Sequence, residues 1–526
     1  MGNNSSNNNV SNNDRQIGSL PITSIDLWQQ SVRIWIEVCK EVAVSSQNVY
    51  NSWLDTIWAL GARQDVYKYS KKKKRKIRAL VLQGGGALGA FQAGAFKALY
   101  EKLTKEDIQN GNEARPLFDI VAGTSTGAIN AAVLVSHVVE NKTWAGSAEK
   151  LVEFWEYLSS PTPDITKDSA IWKKEFDKNR TGIASAEAAR RYYSVKQFLK
   201  SGADNVYSPI LPPKEDEKFF DGQNRKSLYN KQPLQKSLEK FAKFPIATNY
   251  EKAQPRLLVI ATDVAEGKAI TFDSYEKGEV NDKETRKTVY EGFNGKQIVI
   301  EYDEGIDIQH VMASASLPEF YEYEKINGRE FWDGGILSNT PIRELIQTHK
   351  EFWEYKIGSK ELKDSILEQA NLAVPDLEIY LINLWHSNDT AVPYDPDGIA
   401  ERHLDIKSHD QYYVNESILI THYMHLIKKL LQLGYNKGYD LRNEINRILE
   451  DYTTSRYTKE KPDKYLDILK AQFEITELET IERRDDIHTI AGKIGDFTSE
   501  TIKTLIKEGY ESTWKEYPQF MLQRQQ

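Results

Sequence analysis

Ser125 stands between two glycines, in Gly123-Thr124-Ser125-Thr126-Gly127, behind the apolar run 118–122 and ahead of Ala128-Ile129-Asn130-Ala131-Ala132-Val133. A strand, a Gly-flanked corner carrying a serine, and then a helix is the sequence form of a nucleophile elbow. Glycines leave room for a corner that Cβ atoms would crowd. The corner lifts the hydroxyl above the strand end, at the positive pole of the next helix, where developing negative charge is favoured. A second segment, Gly84-Gly85-Gly86-Ala87-Leu88-Gly89, follows the apolar run 79–83 and opens a helical pattern over 91–100. Bare N–H groups at a helix start bind an anion, either a phosphate or the oxyanion of acyl transfer. A third, Phe331-Trp332-Asp333-Gly334-Gly335-Ile336, delivers a carboxylate to a turn before Asn339-Thr340-Pro341-Ile342, which reads as a helix start. Serine, carboxylate and amide cradle are the parts of a nucleophilic acyl transfer.

Each part has a plainer reading. Asp-Gly-Gly is usually only a turn. The spacing Gly84-x-Gly86-x-x-Gly89 also fits a dinucleotide fingerprint, which needs an acidic residue about 20 positions on, at the end of the next strand. That strand ends in Val121-Ala122-Gly123, and Glu101 falls at a helix end. A histidine after Asp333 would complete a triad in the order Ser, Asp, His. His349, His386, His403, His409, His422, His425 and His488 qualify by order, and His386, behind an apolar strand, is the best placed. The ordinary reading of each is a surface or hydrogen-bonded imidazole. His422 and His425 sit one turn apart with no third ligand nearby, so no metal site is expected.

In this order the three segments resemble the patatin-like phospholipase family. Its oxyanion loop matches Gly84, Gly85, Gly86 and Ala87 with Gly89. Its elbow matches Gly123, Ser125 and Gly127, and its aspartate motif matches Asp333, Gly334 and Gly335. The stretch Ala313-Ser314-Ala315-Ser316-Leu317-Pro318-Glu319-Phe320 is also family-like, and the similarity spans residues 77–390. Segments 227–244 and 496–510 look like a bacterial and archaeal subgroup with a helical C-terminal extension. Leu88 departs from the Arg or Lys of many members, which removes a side-chain charge but no backbone donor. The resemblance implies a three-layer α/β/α fold and a Ser125–Asp333 dyad without histidine, metal or cofactor. It also implies a serine acyl hydrolase of the lipase or phospholipase type, acting in lipid degradation. Two alternatives are an intracellular polyhydroxyalkanoate depolymerase and a non-catalytic lipid- or granule-binding protein.

Elements must hold these parts in place. Apolar runs predict strands at 79–83, 118–122, 256–262, 297–301 and 378–384, and helical patterns alternate with them, as in α/β layers. Residues 150–250 read as helical cover for the site. Helices are expected at 416–434, 440–452, 463–481 and 499–514. The 526 residues exceed one core. Five parts are expected: an Asn/Ser-rich disordered tail (1–23), an amphipathic helical segment (24–70), a basic linker (71–78), the catalytic domain (79–390) and a helical C-terminal extension (391–526). In the second part Ile25, Trp28, Val32, Trp35, Cys39 and Val42 recur at three- and four-residue steps. Such a stripe suits an apolar–wet boundary, or pairing with a second copy.

The linker carries seven positive charges on a chain of net charge −8. An anionic membrane or granule surface contacted through 24–78 is therefore an expected partner, and nucleic acid is not. Homo-oligomerisation is a further expectation. The single cysteine, Cys39, excludes an internal disulfide. No apolar run reaches the roughly 18 residues of a membrane span. The first 20 residues hold no signal-peptide core, so a cytoplasmic location is expected, peripheral on lipid or granule.

Overall fold

Four apolar runs form the middle of one sheet: β1 (Ile77–Leu82), β2 (Ile120–Thr124), β3 (Arg256–Asp263) and, later in the chain, a run at Leu377–Asn383. The computed structural model describes residues 76–526 apart from 113–114, 163–182, 211–226, 277–278, 281–282, 368–373, 386–391, 394–395, 436–438, 454–462, 484–491 and 517–526. The expected tail 1–23, the amphipathic segment 24–70 and linker residues 71–75 lie outside the described residues. The remaining strands are β4 (Lys268–Asp273), β5 (Glu324–Ile326), β6 (Arg329–Asp333) and β8 (Ile475–Glu482), which makes Leu377–Asn383 strand β7. β1 is central. It pairs in parallel with β2 and β7, β2 pairs in parallel with β3, and β7 with β8. β4 and β6 run antiparallel to β3, and β5 to β6.

Alternate residues of the central strands enter opposite cores. Leu80, Leu82, Val121, Leu257, Val259 and Ile382 join one, and Ala79, Val81, Ala122, Leu258, Ile260 and Leu381 the other. Burial on both faces explains the unbroken apolar runs of these strands. The first face carries α1 (Gly89–Gln109), α2 (Thr126–Asn141) and α3 (Ser147–Leu158). The second carries a helix at Ile342–Ile357. The chain winds from β1 outward through β2 and β3, then returns to the far side of β1 with β7. Reversal beside β1 makes its carboxyl end the switch point of the sheet, where α/β folds place ligands. The glycine loop begins there.

One detail of register positions the chemistry. β2 pairs with β3 up to Thr124↔Ile260, and β6 pairs with β3 from Asp333↔Ala261. β4 occupies the other edge of β3 over Leu258–Asp263. β2 and β6 therefore share one edge of β3, end to end, with their carboxyl termini facing each other. Ser125 follows one end and Asp333 closes the other.

Two expectations are corrected, and one strand is found outside the main sheet. Residues 463–481 are not one helix: Tyr465–Ile468 form a single turn and Ile475–Glu482 form β8. β-Branched Ile475, Thr476, Thr480 and Ile481 suit a pleated edge, and the open flank of β7 decides between two ambiguous periodicities. Glu479 on this strand lies 3.0 Å from Lys102 of the helix at Gly89–Gln109. The strand expected at 297–301 exists as Gln297–Glu301, but it pairs only with Lys287–Glu291, in a separate hairpin. The last residues of the basic linker are structural: Ile77 and Arg78 start β1. Arg78 is buried, with its guanidinium 2.8 Å from Asp107, and Lys76 lies 3.3 Å from Glu378. Two of the seven charges are thus paired within the fold.

The region beyond 390 is mostly helical, with α6 (Pro396–Ser408), α7 (Gln411–Tyr435) and α8 (Ser499–Glu516), so Ile308–Ser314 and Ile342–Ile357 are α4 and α5. It also completes the sheet through β8, and α8 packs on α1. There a Cβ on Gly94 would overlap the Ile506 carbonyl, and one on Gly509 the Phe91 carbonyl. The two helix backbones meet where neither has a side chain.

Candidate active site

The head-to-head strands bring Ser125 Oγ to 2.6 Å from Asp333 Oδ2, with the hydroxyl donating. Ser125 has φ 55° and ψ −123°, a region that costs a non-glycine residue about 1–3 kcal/mol. The surroundings enforce it. A Cβ on Gly123 would overlap the Gly127 carbonyl, and one on Gly127 would overlap the Leu82 carbonyl. The Ser314 hydroxyl, at the end of α4, accepts the Ser125 N–H at 2.9 Å and donates to the Ile260 carbonyl at 2.5 Å. It pins the strained residue to the strand that also aligns Asp333. The aspartate backbone is tied on both sides: its N–H donates to the Ser316 carbonyl at 2.9 Å, and its carbonyl accepts Thr262 Oγ1 at 3.0 Å.

Asp333 is 3% exposed. Burial pushes its carboxyl up to about 6, against the opposing pull of the Ser125 hydroxyl, the Gly335 N–H and the Lys231 ammonium. The Gly335 N–H reaches Oδ1 at 2.7 Å, which leaves Oδ2 for the serine. Lys231 touches Ser316 Oγ, the Glu322 carbonyl (2.9 Å) and Glu324 (2.9 Å), so a half-buried ammonium borders the site. Burial holds its pKa below the ordinary lysine range, with Glu324 pulling the other way.

The glycine loop faces the same hydroxyl. A Cβ on Gly84 would come within 2.9 Å of Ser125 Cβ, so loop and elbow are in direct contact. The Gly84 N–H donates to the Asn339 carbonyl at 3.2 Å and is thereby engaged. Among the described residues, the N–H groups of Gly85, Gly86 and Ala87 find no acceptor. Gly86, at φ 55°, begins a short 3-10 turn through Leu88 that leads into α1.

The loop is held by polar groups from distant segments. Trp385 Nε1 (2.6 Å) and Asn339 Nδ2 (3.2 Å) both donate to the Gly84 carbonyl. Gln83 accepts the Leu384 N–H at 2.7 Å and donates to Thr340 Oγ1 at 2.7 Å. Its own carbonyl accepts from Gln92, which accepts from Asn130, which accepts from Trp155. Asp410 accepts the Asn339 and Thr340 N–H groups, the latter at 2.8 Å. Lys493 lies 2.7 Å from Asp405 and 5.4 Å from the Trp385 ring, while the neighbouring Ile494 carbonyl abuts Gly86. Buried polar chains of this kind rigidify a loop when every member is satisfied.

Every residue of the three sequence motifs thus lies at one place, the carboxyl ends of β1, β2 and β6. Among the described residues no histidine hydrogen-bonds to Ser125 or Asp333. His349 is buried and bonded to the Pro375 carbonyl, and His425 lies 3.4 Å from Glu474. His386 and His488 lie outside the described residues. Among the described residues no His, Cys, Asp and Glu group could hold a metal ion, and no helix is long and apolar enough to cross a membrane. Sequence reasoning gave no role to Gln83, Asn339 or Trp385, and placed Ser314 only within a family-like stretch. Gln83, a polar residue closing an apolar strand, carried the one visible signal.

The family model for patatin-like phospholipases matches residues 80–346, from β1 into α5. Among solved structures, the crystal structure of VipD from Legionella pneumophila matches at 12% identity, covering 84% of this chain and 67% of that chain, with a TM-score of 0.27. No curated protein matches in sequence. With half of the chain matched, and all three motifs inside the match, the protein belongs to the patatin-like phospholipase family of lipid-ester hydrolases.

Proposed function

We propose that the protein cleaves lipid esters through a Ser125–Asp333 dyad. The observation that carries the reading is the 2.6 Å hydrogen bond from the serine hydroxyl to a buried carboxylate. Asp333 Oδ2 takes the proton as Ser125 Oγ bonds to the ester carbonyl carbon. The N–H groups of Gly85, Gly86 and Ala87 receive the oxyanion, and each such donor is worth a few kcal/mol in comparable sites. The aspartic acid then returns the proton to the leaving alkoxide. Water, deprotonated by the same carboxylate, releases the acyl group and regenerates the serine. An ordinary aspartate is a weak base at neutral pH. Burial that lifts its pKa to about 6 narrows the gap to the serine. Labelling with a fluorophosphonate tests the nucleophile: the wild-type chain should react at one serine and Ser125→Ala should not. Equal labelling of both would remove the assignment.

The same carboxylate sets the acid limb of activity. It must be ionised to accept a proton, so kcat/KM for a soluble ester should rise through a midpoint near pH 6 and level off above it. Asp410, also raised to about 6 by burial, is the competing titration. In Asp410→Asn the limb should persist. Its disappearance would assign the limb to the brace and not to the base.

A further inference from the structure

Helix α7 is apolar on two sides. Its inner side packs Val414 into the second core. Its outer side exposes Tyr412, Leu419, Tyr423, Leu426, Leu430 and Leu433, which recur at heptad-like steps interrupted at Glu416. Tyr413, Ile420 and Ile427 flank that seam. The nine exposures run from 41% at Ile427 to 72% at Tyr412. They amount to about five whole side chains, or about 1,000 Å² at roughly 200 Å² each. The largest apolar patch on a typical monomer is about 300–600 Å², and a stable interface takes about 800 Å² from each partner. A helix apolar all round is normally covered on both sides.

We infer that this face binds a second copy of the chain, with α7 packed near-antiparallel on its counterpart across a two-fold axis. Self-complementarity carries the choice. An axis between His422 and Tyr423 sets Tyr412 of one copy opposite Leu433 of the other, and Leu419 opposite Leu426. Each of these pairs occurs twice in an isologous contact. The direction of the helix argues against a lipid surface. At its start Asp410 braces Asn339 and Thr340 beside the glycine loop. Further along, His425 meets Glu474, which itself bonds to Asp376, just ahead of β7 and β8. The seam therefore runs down the flank of the sheet, from the catalytic end toward the opposite one.

The test uses the full-length chain in sedimentation equilibrium across micromolar concentrations. Wild type should be a dimer. Leu419→Glu places a charge against Leu426 of the other copy twice and should weaken association by tenfold or more. Leu426→Glu should be monomeric, with an unchanged thermal melt and unchanged turnover of a soluble ester. A monomeric wild type, or a dimer left unchanged by Leu426→Glu, would overturn the inference. So would a monomer that pellets with neutral phosphatidylcholine vesicles and loses that binding in Leu426→Glu, because the face would then belong to lipid.

Discussion

Replacing Asp333 with Asn is expected to cut kcat by about 10⁴ and, at the same time, to make the fold more stable at pH 7.5. Asparagine keeps the shape, and its Oδ1 still accepts the Gly335 N–H. It cannot take the proton of Ser125, so only the amide cradle and substrate binding remain to accelerate the reaction. The stability gain follows from the raised carboxyl. In the folded chain it titrates near 6, against 3.8 when exposed. The native state therefore holds this proton to higher pH than the unfolded state does. Stability falls as pH rises between those two values and stays reduced above 6. At 1.36 kcal/mol for each pKa unit, the buried charge costs about 2–3 kcal/mol at neutral pH. Asparagine carries no charge and escapes that cost. The melting temperature of Asp333→Asn should exceed that of wild type by a few degrees at pH 7.5, and the gap should close toward pH 4. Ser125→Ala should lose as much activity. Near-normal turnover in Asp333→Asn would remove the base, and inactivity with a lowered melting temperature would show a structural role instead.

The parts of the proposed site were legible in the sequence because chemistry constrains them locally. A strained serine needs glycines beside it, a cradle needs bare amides, and a carboxylate must sit at a strand end. Gly123, Gly127 and Gly84 each fill a place where a Cβ has no room, so their spacing is written into the chain. The four central strands were legible for a similar reason, since burial on both faces leaves a plain apolar run. What holds the parts was not legible. Ser314 acts through one hydroxyl shared between the Ser125 N–H and the Ile260 carbonyl, and Trp385 through one indole N–H. Neither contact has a sequence period. β8 was hidden because Thr and Glu between spaced isoleucines satisfy either periodicity until β7 offers an edge. The C-terminal segments were read as an appendage, yet Lys493, Ile494 and Asp410 surround the glycine loop at or near contact distance. A pattern confined to one segment cannot report a contact made more than 300 residues away.

Two glycines only 43 positions apart should fail in opposite ways, and the contrast tests the cradle directly. A Cβ on Gly127 would overlap the Leu82 carbonyl and lie 3.0 Å from the Gln83 carbonyl. Both are backbone of the central strand or its end and cannot yield, so Gly127→Ala should destabilise the fold by about 3 kcal/mol or more. A Cβ on Gly84 would meet the Asn339 side-chain oxygen and Ser125 Cβ. The Asn339 amide can swing aside, at the cost of its bonds to the Gly84 and Ser408 carbonyls. Relief then comes from a small displacement of the loop away from the nucleophile, which carries the Gly85, Gly86 and Ala87 N–H groups with it. A misplacement of about 1 Å costs on the order of 10²-fold in rate. Gly84→Ala should therefore lower the denaturation midpoint by less than Gly127→Ala does, keep its KM for a short nitrophenyl ester, and lose about 10²-fold in kcat. Loss confined to kcat is the mark of donors that act on the transition state and not on the bound ester. Wild-type turnover in Gly84→Ala would show that these amides lie outside the reaction, however close they stand to Ser125.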